Sequence, residues 1–129
     1  GWLWCLWADF ESADTPNEFH CLVDELFRVS PPTGLIIVGA FLFSAAKDHL
    51  AQHGILAPTQ VSLVCTDPDP AFTWYQPSIA HFSWDHRPWV RRVVRWVDNV
   101  AKGKDDRRQT LTKIEIVEGG TMGPAPGRK

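Results

Sequence analysis

The sequence predicts an α/β domain in which a mostly parallel sheet is flanked by helices. Three observations point to it. Short continuous apolar runs recur along the chain, notably Gly34 to Gly39 (GLIIVG) and Gln60 to Cys65 (QVSLVC), and uninterrupted runs of this length mark strands buried on both faces. Segments whose apolar residues recur at helical spacing separate them, which is the strand-then-helix alternation of parallel sheets. Only Thr112 to Val117 (TKIEIV) alternates polar and apolar residues, as an edge strand with one wet face does.

The elements follow in order. Trp2 to Ala8 is a short aromatic and apolar run ahead of a polar stretch, and predicts a buried strand. Thr15-Pro16-Asn17-Glu18 is a helix start: Thr15 caps, Pro16 takes the first helical position, and Glu18 can close a capping box. Phe19, Leu22, Val23, Leu26 and Phe27 form that helix's apolar face, and Ser30-Pro31-Pro32 stops it. After the GLIIVG strand, Leu42 to His53 repeats with helical period and Gly54 is placed to terminate it in a left-handed conformation. The strand ending at Cys65 opens into a long loop, 66–78, holding Pro68, Pro70, Pro77, Phe72, Trp74 and Tyr75. Loops of that length in compact domains tend to carry function. Ile79 to Phe82 is a short strand. Ser83 is expected to cap a helix striped by Trp89, Val90, Val93, Val94, Val97 and Val100 and ended by Gly103. Lys104 to Arg108 is expected to be a solvated turn, and residues 119–129, rich in glycine and proline, a flexible tail. Helices are expected on both faces of the sheet.

With 129 residues, 44% of them hydrophobic, the chain has the material for one core, assigned to residues 1–118. A net charge of −2 leaves no basic excess to neutralise phosphates, so nucleic acid is not the direct partner of these residues. Cys5, Cys21 and Cys65 are odd in number and lack metal or redox spacing, which fits reduced thiols in a cytoplasmic protein. No run approaches the roughly 18 apolar residues of a membrane helix. The start lacks a basic leader, and its Gly1 suits a trimmed product of a longer chain.

In a parallel α/β sheet, ligands bind outside the carboxyl ends of the strands. Those ends bring Asp9, Glu11, Ala40, Phe41, Asp67 and Asp69 to one rim, with Trp74 in the adjoining loop. Carboxylates beside aromatic rings suit a polyhydroxylated ligand, because the oxygens accept hydroxyl protons while ring faces cover its C–H surface. The same residues also suit a local role, with Asp67 and Asp69 shaping an Asx turn and Trp74 packing into the core. His49 and His53 stand four apart on a helix and could approach a metal. The pattern lacks the Glu and the third ligand of metal-binding helices, so no metal or cofactor is expected. Cys65 or Asp67 with His81 could serve a small α/β hydrolase; Cys65, closing an apolar strand, is more simply a core residue, and no catalytic residue is assigned. Arg91, Arg92 and Arg95 follow Trp84 and Trp89, with Asp85 and Asp98 diluting them, as on a solvated helix or an inter-subunit face.

The order of motifs resembles the LacI/GalR family of transcriptional regulators. Pro32-Thr33-Gly34-Leu35-Ile36-Ile37-Val38, then His53-Gly54-Ile55-Leu56-Ala57-Pro58, then Val61-Ser62-Leu63-Val64-Cys65-Thr66-Asp67 are similar in sequence and spacing to the C-terminal part of such regulators. Pro77 to Phe82 and Ile114 to Thr121 stand where two further family segments fall. The resemblance implies the C-terminal subdomain of a periplasmic-binding-protein-like type I sensor, not an enzyme. Such a sensor binds a small metabolite, commonly a sugar, and controls a helix-turn-helix that meets operator DNA through segments absent from this chain. It implies Asp67 as an acidic ligand contact. Gly39-Ala40 replaces the family's usual Asn-Asp, so one carboxylate contact is missing there. It further implies that the helix over 83–102 packs on a first subdomain absent here; its bare stripe is expected to drive homodimerisation.

Overall fold

The computed structural model describes the backbone of residues 3–6 and the whole of residues 15–126. The described residues form one five-stranded sheet. In chain order the elements are β1 (Leu3–Leu6), α1 (Pro16–Val29), β2 (Gly34–Ile37), α2 (Ala40–Gln52), β3 (Ser62–Cys65), a 3-10 helix (Pro70–Trp74), β4 (Ala80–Trp84), α3 (His86–Ala101) and β5 (Ile114–Val117). Strands β1 to β4 are parallel and lie side by side in chain order, while β5 runs antiparallel to β4 at the edge.

That order decides where the helices go. Each parallel crossover steps in the same direction, and right-handed connections that never reverse put successive helices on one face. Phe19 and Val23 of α1 and Phe43, Ala46 and Leu50 of α2 accordingly share a single core with Leu35, Ile37, Leu63 and Cys65. The opposite face is less covered, Ile36 and Ser62 being only half-buried. Helix α3 buries no residue at all. The expectation of helices on both faces is corrected in this respect.

Local chemistry explains the helix ends. The Thr15 hydroxyl accepts the Glu18 N–H at 3.3 Å, and Pro16 occupies the first turn. Gly54 and Gly103, with φ of 77° and 73°, take the left-handed conformation just past α2 and α3. The cap of α3 is Asp85 rather than Ser83: β4 extends through Trp84 because Ser83 and Trp84 pair with Glu115 and Ile114 of β5. Asp85 accepts the Arg87 N–H at 3.0 Å, and the Arg87 guanidinium beside it draws its carboxyl down to about 2.

Two further expectations are corrected. The 104–108 segment is no free turn, since Asp106 takes the Arg92 guanidinium through two contacts of 2.7 and 3.1 Å and the Asn99 amide at 2.8 Å. Asn99, Arg108 and Arg92 together hold its carboxyl far below the usual carboxylate range, and the Arg92 and Asn99 contacts dock the segment on α3. The supposed tail, in turn, begins with residues fixed to the sheet. Thr121 is fully buried; its Oγ1 donates to the Leu63 carbonyl at 2.7 Å and accepts the Ala80 N–H at 2.9 Å. Its carbonyl accepts the Leu63 N–H at 2.9 Å. A Cβ on Gly119 would lie 2.5 Å from the Ala80 nitrogen, so that glycine serves close approach rather than looseness. The expectation of a single wet face on β5 is corrected as well: it is the edge strand, but both faces are wet, Ile114, Ile116 and Val117 all being exposed beside Glu115.

Candidate functional site

The exits of β2 and β3 are locked together. The ladder continues one residue past the strands, with the Thr66 N–H donating to the Ile37 carbonyl at 3.0 Å, and this holds residues 38–41 beside 66–69. On the first segment Gly39 adopts φ 89° and ψ 129°, a conformation open to glycine and strained for other residues. This backbone demand accounts for Gly39 itself. Gly39 supplies no side-chain cap and α2 has no acidic residue in its first turn, so the helix presents its first N–H groups to the rim. Ala40 packs against the core and Phe41 stands 82% exposed, an open ring face beside them.

On the second segment Asp67 is half-buried and accepts the Thr66 hydroxyl at 3.3 Å, leaving the rest of its carboxylate for other donors. Asp69, also half-buried, accepts the Ala71 N–H at 2.8 Å and starts the 3-10 helix, which is the turn-forming role its sequence context allowed. The long loop thus has structure of its own. Its core aromatic is Phe72, whose ring meets Phe43 at 5.9 Å and His81 at 5.2 Å. Trp74 is 87% exposed, and its neighbour Tyr75 lies under the Lys47 ammonium well along α2 from the rim. The rim therefore gathers Asp67, Asp69, Ala40 and Phe41, whereas Trp74 belongs to the crossover that leaves it. Asp9 and Glu11 lie outside the described residues.

Cys65 and His81 are register partners on adjacent strands. Neither is poised for nucleophilic chemistry. Cys65 is fully buried, and burial pushes its thiol up, away from the thiolate an attacking group needs. The His81 Nδ1 donates to the Ile79 carbonyl at 2.8 Å, and among the described residues no hydrogen bond joins the pair.

The histidines of α2 have more company than their own helix showed. Asp24 of α1 accepts from His49 Nε2 at 2.7 Å, and His20 stacks on the same ring. The missed signal was the spacing of His20 and Asp24, four apart on α1, which matches His49 and His53 on α2.

A parallel layer whose strand exits form an open rim of carboxylates, ring and helix N–H groups defines an α/β lobe of the ligand-binding class. Residues 4–122 match the family model described as a periplasmic binding protein-like domain, and the chain belongs to that family. Its fold is shared by solved LacI-family regulators. One from Bifidobacterium animalis subsp. lactis is 19% identical, with a TM-score of 0.71 over 87% of this chain and 42% of that one. A sugar-binding LacI-family regulator from Escherichia coli, complexed with phosphate, is 15% identical with a TM-score of 0.66, over 86% and 41% of the two chains. The lac repressor dimer bound to operator and an anti-inducer is 15% identical with a TM-score of 0.67, over 84% and 38%. This chain thus spans about two fifths of the length of the regulators it matches. No curated protein sequence matches it. These neighbours are transcriptional regulators rather than enzymes, and no described helix is long and apolar enough to cross a membrane.

Proposed function

We propose that this chain is an effector-binding and dimerisation part of a transcriptional regulator, sensing a small polyhydroxylated metabolite such as a sugar. Operator DNA is met by other parts of the regulator. The observation that carries this reading is the locked pair of strand exits, the Thr66 N–H on the Ile37 carbonyl, which supports a shared rim for Asp67, Asp69, the α2 N-terminus and Phe41. Such a rim offers acceptors, donors and an apolar face together, enough to hold a sugar and no more. Asp67 accepts ligand hydroxyls, Asp69 lies one turn of loop away, and the backbone at Ala40 replaces a side-chain carboxylate. Phe41 supplies a stacking face; Trp74, in the crossover that leaves the rim, and Asp9, shortly after β1 in sequence, complete the proposed set. A ligand held between this lobe and a second one biases their orientation, and that differential affinity is what reaches the DNA-binding segment.

The test is a thermal-shift screen of sugars, sugar acids and nucleobases on the full-length regulator, repeated with Asp67→Asn. A ligand that binds only the folded state raises Tm by mass action, by about 2.7 kcal/mol of added stability at one hundred times Kd. The reading expects at least one such ligand, with its Kd raised about tenfold or more by the substitution. No shift with any candidate, or a shift indifferent to Asp67→Asn, would sink it.

A further inference from the structure

Helices α1 and α2 each carry a pair of chemically capable residues four apart, so each pair projects from one helix face. On α1 the pair is His20 and Asp24; on α2 it is His49 and His53. The packing of the helices brings the pairs together. One ligating atom each from Asp24, His49 and His53 lies within 4.8 Å of the other two. We propose that these three residues form a binding site for a divalent transition-metal ion, with zinc the best fit to two imidazoles and one carboxylate.

Three features go beyond proximity. The first is tautomer. The His53 Nδ1 stands 2.8 Å from the His49 carbonyl, which can only accept, so Nδ1 carries the proton and Nε2 keeps its lone pair. A ligating histidine is commonly fixed in this way, its other ring nitrogen donating to a backbone carbonyl. The second is placement. His49 is only 10% exposed at its side chain, with His20 stacked on its ring at 4.4 Å and an interplanar angle of 3°. The His53 ring approaches from 4.5 Å. The ring is thus held with Nε2 aimed at Asp24, 2.7 Å away. The third is charge state. The Asp24 side chain is more than half exposed, and an exposed carboxyl is an anion at neutral pH, so the oxygen ligand carries charge.

In the metal-free arrangement the proton on His49 Nε2 fills the space between imidazole and carboxylate. A zinc ion takes its place, the displaced proton passing through water to Nδ1 of the same ring or, from a charged imidazole, out to solvent. Zinc bonds of about 2.0 Å in tetrahedral geometry set ligand atoms about 3.3 Å apart, so groups that lie within 4.8 Å of one another need close by at most about 1.5 Å. Three protein ligands leave one position for water. Because the ligands come from two helices, the ion ties α1 to α2 on the outer side of the sheet, independently of the rim and of any effector.

The experiment uses the untagged chain, with Zn(II) titrated by calorimetry and Co(II) by visible absorption. Expected are saturable one-to-one binding with Kd in the micromolar range, the intense visible bands of tetrahedral cobalt, and a Tm raised by about 5 °C or more at a hundredfold excess over Kd. His53→Ala and Asp24→Asn, both at exposed positions, should each weaken binding about tenfold or more and erase the cobalt bands. Cys21→Ser should leave binding unchanged, which excludes the exposed thiol as the donor. The proposal is overturned by absence of saturable binding up to about 100 µM metal, or by binding that survives both ligand substitutions.

Discussion

Helices α2 and α3 differ in a way their sequences do not announce. α3 has the cleaner stripe, with Trp89, Val93, Val97 and Val100 on one side and arginines on the other, yet all four are exposed. α2 is less regular, with Phe41 pointing to solvent at its start, yet it buries Phe43, Ala46 and Leu50 against the sheet. Apolar periodicity records that a helix has a face to cover. What covers it depends on the path of the chain: α2 bridges two parallel neighbours and must lie on them, whereas α3 joins antiparallel neighbours and is free to stand off. The bare stripe of α3 is contiguous exposed apolar surface, and it underlies the proposed dimer.

The comparison breaks most visibly at Phe43. Phe43→Ala removes a fully buried ring from the α2 side and should cost about 3–5 kcal/mol in urea unfolding. If it costs under about 1 kcal/mol, the core does not sit where α1 and α2 meet the sheet. A smaller effect tests the seal on the same inner layer: Thr121→Val leaves the Ala80 N–H and the Leu63 carbonyl without their hydroxyl partner and should cost about 1–3 kcal/mol. Amide exchange at Ala80 should accelerate with it. The smallest stability effect belongs to α3. Val93→Glu should change the unfolding of the monomer, followed at protein concentrations below the dimer Kd, by no more than about 0.5 kcal/mol, while at higher concentration light scattering after size exclusion shifts from dimer to monomer. A substituted chain that is still dimeric would remove α3 from the interface.

Most of the layer was readable in advance, because each strand and helix announced itself by local chemistry: Thr15 and Pro16 at one helix start, Gly54 and Gly103 at two helix ends, and the GLIIVG and QVSLVC runs. Long-range facts were not. Glycines at 119 and 120 have the composition of a loose tail, and only the approach of Ala80 and Pro77 to within 2.5 Å of where a Cβ would stand shows them to be packing residues. Asp106 looked like one charge among many because its partners, Arg92 and Asn99, lie in the preceding helix. At the rim, Asp67 was legible as a strand-exit carboxylate, but which ring of the long loop enters the core was not: it is Phe72 rather than Trp74, since a 3-10 turn decides which ring faces inward.

Thr121 has a consequence for the order of events during synthesis. β3 and β4 pair directly only at Val64 with Ala80 and Cys65 with His81; ahead of that, both backbone groups of Leu63 are satisfied by a residue 58 positions later. A nascent chain can assemble α1, α2 and the first strands as they emerge, but the gap beside Leu63 stays open to water until residue 121 has cleared the ribosome. Translation must run past residue 121 before the sheet closes, and a chain stalled short of it would present an unsealed strand edge to chaperones and to its neighbours.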